Sequence, residues 1–319
     1  MRQVDVFNGD ADGLCALHQL RLALPAAAEL VTGTKRDIKL LERVKAGAGE
    51  QVSVFDISLD SNRDHLVRLL EAGASVEYFD HHHAGTIPQH PNLVAHIDTS
   101  AGVCSSMLVD HCLAGQHRRW AIAAAFGDNF FASARAMAEA VGLDGPQTEK
   151  LEHLGEYLNY NSYGDTVADL HFHPADLYGE IRPYADPFAF IAESEAYTRL
   201  AAGLHDDLGM ADSLRPMLED AHCAAYLLPD APWARRVSGI LANRLTNSNP
   251  ARAHALLTPN RHGAYTVSVR APLDNPQGAD TLCLKFDTGG GRAAAAGINR
   301  LPANEAEKFL ARFKEHFGK

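Results

Sequence analysis

A chain of 319 residues with a net charge of −11, 46% hydrophobic and 22% charged, has the composition of a soluble globular protein long enough for two domains, each with its own core. So acidic a chain is a poor nonspecific binder of long nucleic acid, because that affinity comes from neutralising many phosphates. The start, MRQVDVFNGD, has no apolar core of a signal peptide and no run reaches the ~18 apolar residues of a membrane span, so no membrane association and a cytoplasmic location are expected.

The charge is unevenly spread. Residues 1–214 hold 15 Lys and Arg against 31 Asp and Glu, whereas residues 215–319 hold 14 against 9, so a net −16 is followed by a net +5. This division suits a cation site in the first part and an anion-holding role in the second. The five cysteines are scattered, with no Cys-x-x-Cys pair, and read as reduced, mostly buried thiols.

In chain order, short apolar and β-branched runs predict strands near 4–7, 30–32, 52–55, 76–79 and 93–97. Between them GLCALHQLRLAL, DIKLLERV and NRDHLVRLLEAG have helical apolar spacing, and the last stops at Gly73. Strand and helix in alternation predict an α/β fold with a mostly parallel, doubly wound sheet. From about 130 to 214 the pattern is helical and interrupted, with HFHPADLYGEIRPYADPF too proline-rich to form one regular element. Beyond 222, CAAYLLP, AHALLTP and AYTVSVRAP read as strands, ARRVSGILANRL and NEAEKFLARFKEHF as helices, and Gly289-Gly290-Gly291-Arg292 interrupts them. The expected organisation is a metal-binding catalytic domain over 1–190, a helical connector over 191–221 and a smaller α/β domain over 222–319.

Ligands of open α/β sheets bind beyond the carboxyl ends of the strands. Asp10 and Asp12 of FNGDADG follow the first strand, Asp56 ends the third, and Asp80-His81-His82-His83 follows the fourth. Asp128 closes the apolar helical run AIAAAFG. Each alone fits a surface turn, a helix cap or a solvated run. Together, at successive strand ends of one sheet, they point to a metal centre. Carboxylate oxygens suit Mg and Mn, imidazole moves the preference toward Mn, Fe, Co or Zn, and the lack of a thiolate speaks against a structural zinc site; the expected cofactor is Mn2+, with Mg2+ or Co2+ as alternatives.

These motifs resemble the DHH phosphoesterases, named for the Asp-His-His of their third motif, and the resemblance extends over nearly the whole chain. In length and layout it is similar to the short bacterial oligoribonuclease and phosphoadenosine-phosphatase branch, with a DHH-associated C-terminal domain. The resemblance implies two ions, with Asp10 and Asp12 serving one each, Asp56 bridging, and His81 and Asp128 as further ligands. It implies that His82 faces the scissile phosphate and that Asp80 orients the imidazoles. No fixed role falls to His83. Where many members have a ligating histidine this chain has Val6, with Asn8 as a substitute oxygen donor, and where many show Gly-Gly-His it has Arg292 after the glycines. Arg270 matches the family's substrate-facing strand arginine, so Arg270, Gly289, Gly290, Gly291 and Arg292 form the expected substrate-holding set.

The implied activity is hydrolysis of a 5'-phosphorylated dinucleotide or short oligoribonucleotide to mononucleotides. The alternatives are a phosphatase acting on 3'-phosphoadenosine 5'-phosphate and a noncatalytic nucleotide-binding module. A homodimer is compatible with this layout.

Overall fold

The first strand, β1 (Gln3–Phe7), is buried along its whole length and starts a five-stranded sheet. The computed structural model describes residues 2–318. Helix α1 (Ala11–Ala23) leads to β2 (Ala28–Val31), and β3 (Gln51–Phe55), α2 (Leu59–Glu71), β4 (Ser75–Asp80) and β5 (Leu93–Ile97) follow. The order β2-β1-β3-β4-β5, parallel throughout, places the topological switch between β1 and β3.

The alternation of strand side chains separates two cores. Phe7, Phe55 and Phe79 pack with α1 and the helices that follow the sheet in sequence. Val4, Val6, Val52, Val54, Val76 and Tyr78 pack on the opposite face with Leu66 and Leu69 of α2 and with Leu40 and Leu41. The sheet is thereby doubly wound, as the sequence predicts.

The helical region comprises α3 (Ser105–Cys112), α4 (Arg118–Gly127), α5 (Phe131–Ala140), α6 (Gly145–Tyr160), α7 (Pro174–Ile181), α8 (Pro187–Glu193) and α9 (Glu195–Ala211). The proline-rich stretch forms two short helices, because Pro174 and Pro187 each stand at a first helical turn, where no N–H is needed. The chain divides into a unit ending at Ala202 and a unit beginning at Gly203, a boundary inside α9.

In the second unit β6 (Leu218–Glu219), β7 (Cys223–Leu227), α10 (Pro232–Ser248), β8 (Ala253–Pro259), β9 (Ala264–Arg270), α11 (Ala279–Cys283), β10 (Gly289–Gly291), β11 (Ala295–Pro302) and α12 (Ala306–Phe317) form a six-stranded sheet with helices. Its order is β10-β11-β9-β8-β7-β6, with only β7 and β8 parallel.

One local expectation is corrected. Residues 37–44 form a single 3-10 turn, Leu40–Arg43, rather than a helix. Side chains of α2 take their backbone groups: Asn62 accepts from Leu41 N and donates to Ile38 O, and Arg68 donates to Leu41 O and Val44 O. The glycine run forms strand β10. A Cβ on Gly289 would lie 1.9 Å from Cys283 O, so the residue type there is fixed by packing. Four cysteines are buried and reduced, and the fifth, Cys112, is exposed and also unpaired. Among the described residues no helix is long and apolar enough to cross a membrane.

Candidate metal centre

The chain leaves β1 at Phe7 and turns directly into α1, with Asp10 as the helix N-cap accepting from Asp12 N and Gly13 N, both at 3.1 Å. Gly13 lies so close to Asn8 that a Cβ would stand 2.2 Å from Asn8 O, which explains the glycine of Asp-x-Asp-Gly. Asp12, 0% exposed, accepts from Ser105 N at 2.8 Å and Ser106 N at 2.7 Å, the first amides of α3. A helix N-terminus thus fixes the second carboxylate of the motif, 93 residues from it in sequence.

Asp56 leaves β3 with φ of +55°, a left-handed conformation that non-glycine residues seldom adopt and that clusters at functional sites. Its Oδ1 lies 3.3 Å from both Ser105 Oγ and His81 Nε2. The same His81 Nε2 is 3.5 Å from Asp128 Oδ2, and Asp128 follows α4 as its C-cap. Asp80, at the end of β4, accepts from His82 Nδ1 at 2.6 Å, and its other oxygen accepts from Leu59 N at 3.2 Å. His83 is exposed.

The electrostatics follow from burial and crowding. Burial, then the charges of Asp10, Asp12 and Asp128, hold the Asp56 carboxyl well above the usual carboxylate range. Burial also raises Asp12. Asp10 is opposed by burial, yet the ammonium of Lys35 holds it below that range. For His82 burial acts downward, but the hydrogen bond and charge of Asp80 outweigh it and raise the imidazolium pKa. Carboxylates that hinder one another's ionisation gain from a cation placed among them.

Two groups of three donors lie close enough together for one ion: Asp56, His81 and His82, and Asp12, His81 and Asp128, with ligand atoms in each within 4.8 Å of one another. Asn8 Oδ1 is buried without a partner, an oxygen donor left over beside Asp10. Carboxylate oxygens with imidazole fit a Mn-class divalent ion. The expected ligands Asp12, Asp56, His81 and Asp128 thus converge, with Asp80 behind His82. Asp10 instead pairs with Lys35.

Lys35, Ser105, Ser106 and Asn159 also belong to the site, and sequence reasoning misses all four. Lys35 does follow β2, at the same sheet edge as the other clusters, and that position was the available signal. In the second unit Arg270 ends β9, donating to Asn243 Oδ1 at 2.8 Å and to Ser268 Oγ at 3.0 Å. Arg292 is exposed in the turn between β10 and β11, and its backbone N donates to Ala295 O at 2.8 Å.

No family model matches the sequence, and no curated protein matches it either. Among solved structures, RecJ from Thermus thermophilus, determined in complex with Mn2+, is similar with a TM-score of 0.59 and 19% identity, over 98% of this chain and 51% of RecJ. The chain therefore spans about half the length of RecJ. PggH from Vibrio cholerae, a pGpG-specific phosphodiesterase, is similar with a TM-score of 0.57 and 13% identity, over 98% of this chain and 97% of PggH. At these identities the likeness is one of architecture, and the chain has the mixed α/β fold of RecJ and PggH.

Proposed function

We propose that this chain is a DHH-type phosphoesterase that uses a Mn-class divalent metal to hydrolyse 5'-phosphorylated dinucleotides and short oligoribonucleotides to mononucleotides. The observation that carries the reading is the pair of three-donor groups sharing His81 at the carboxyl edge of the parallel sheet. A likeness to a pGpG-specific phosphodiesterase over nearly the full length of both chains supports a dinucleotide as substrate.

Asp12, Asp56, His81 and Asp128 would hold the metal. A divalent ion bound there supplies Lewis acidity toward a phosphoryl oxygen and makes water a stronger nucleophile at neutral pH. His82 gives its Nδ1–H to Asp80, which leaves Nε2 free to meet a phosphoryl oxygen. A ring N–H held in place by Asp80 can donate to developing negative charge. The second unit carries the arginines suited to holding a phosphate, Arg270, with its fork already oriented by Asn243 and Ser268, and Arg292. Gly290, whose added Cβ would meet nothing within 4 Å, leaves open space beside that arginine turn, compatible with contact to a substrate.

The test is a chromatographic time course with Mn2+, offering separately a 5'-phosphorylated dinucleotide, 3'-phosphoadenosine 5'-phosphate and a single strand of ~20 nucleotides, longer than one protein domain's usual footprint. Fast conversion of the dinucleotide is expected, with loss of at least about 100-fold in Asp56→Asn, the scale set by losing a metal-orienting group. Preferential release of phosphate from the second substrate would replace this reading by the phosphatase one. No product from any of the three would leave a noncatalytic nucleotide-binding module.

A further inference from the structure

The cation already present among the carboxylates is a side chain. Lys35 lies on the loop after β2, and its ammonium has three N–H donors that meet three side-chain oxygens: Asp10 Oδ2, Asp128 Oδ1 at 3.2 Å and Asn159 Oδ1 at 3.3 Å. The side chain is three-quarters buried, and no further acceptor is needed to satisfy it.

The donor sets around it agree with this occupancy. Asp10 belongs to neither three-donor group among the described residues, and both groups depend on His81, whose Nε2 faces Asp56 and Asp128 alike. One imidazole nitrogen serves one ion. Val6, fully buried in the opposite core, offers no donor atom near the end of β1, where Asn8 Oδ1 is the one oxygen left beside Asp10 among the described residues. A second divalent ion beside Asp10 would have to displace the ammonium or stand against its charge.

We propose that Lys35 is a built-in monovalent cation occupying the place of one divalent ion, so that the centre takes one Mn-class ion per chain, held by Asp12, Asp56, His81 and Asp128. The inference rests on the metal-dependent reading above and refines its ion count. Asp10 then serves as the ammonium's counter-ion and as the cap of α1.

The test is calorimetric titration of the chelator-stripped full chain with Mn2+, with electron paramagnetic resonance on the loaded protein. Wild type is expected to take one ion per chain with the spectrum of an isolated ion. Lys35→Met, of similar length without the charge, is expected to take two, with a spectrum broadened by their coupling. Two ions in wild type would overturn the inference while leaving the metal reading intact, and so would one ion in both wild type and a folded Lys35→Met. No ion in wild type would remove the metal reading and the inference with it. If Lys35→Met does not fold, wild type and the charge-conserving Lys35→Arg decide: one ion in each supports the inference, and two in either overturns it.

Discussion

Asp80 is fully buried with both oxygens engaged, one by His82 Nδ1 and one by Leu59 N. It is a positioning residue that acts through His82. Asp80→Asn keeps the shape but weakens the hold on the imidazole, so kcat is expected to fall about 10- to 100-fold with KM little changed. A pH–rate profile separates this from a merely structural role, since loss of folded protein lowers the apparent kcat without moving the profile, whereas a loosened imidazole shifts it. His18 on α1 illustrates the opposite case, a histidine with a core role. It is 1% exposed, packs edge-on to Trp120 and bonds the Tyr184 carbonyl through Nε2 at 2.8 Å. Burial lowers its pKa to about 4, below the ordinary 6.5. Between those values the unfolded chain binds more protons, so the contribution is fully present above about pH 6.5 and is lost as pH falls toward 4, by up to about 3 kcal/mol. Melting temperatures from pH 7.5 to 4 are expected to fall less steeply in His18→Phe than in wild type.

Among the elements, helix ends assemble the site as much as strand ends do. The amides opening α3 hold Asp12, the end of α4 presents Asp128, and Asn159 in the last turn of α6 receives Lys35. Helix α6 starts at a capping box, with Gln147 N donating to Asp144 at 2.8 Å and Asp144 N donating to the Gln147 side chain at 3.0 Å. Asp144→Ala is expected to cost about 1 kcal/mol, seen as a loss of roughly 2–4 °C in Tm, with turnover retained. A normal Tm in this variant would show that α6 is held by packing alone. The helical spacing of residues 37–44 was legible but misleading, since Asn62 and Arg68 of α2 take the hydrogen bonds an eight-residue helix would have made for itself. The reason for Gly289 was not legible either, since it is the approach of the Cys283 carbonyl.

For the molecule as a whole, the metal reading makes the first unit's stability depend on cations. Mn2+ at 100 times its dissociation constant is expected to add about 2.7 kcal/mol to the unit that binds it, and a chelator to remove that gain. Calorimetry should show the shift in wild type and its loss in Asp56→Asn; an equal shift in both would indicate binding elsewhere. The doubly wound sheet and the common edge of Asp10, Asp12, Asp56 and the Asp80-His81-His82 run were legible in the residues alone, because strand periodicity and the strand-end rule are local properties of the chain. What each carboxylate meets was not, and came from the packing of segments distant in sequence. Ser105 reaches Asp12 across 93 residues and Lys35 reaches Asp128 across the same distance, and a serine or a lysine in a loop carries no periodic signal of such a contact. Burial is what gives these contacts their weight, since charges crowded in a low-dielectric interior must find partners, and which partner is near depends on how the helices pack.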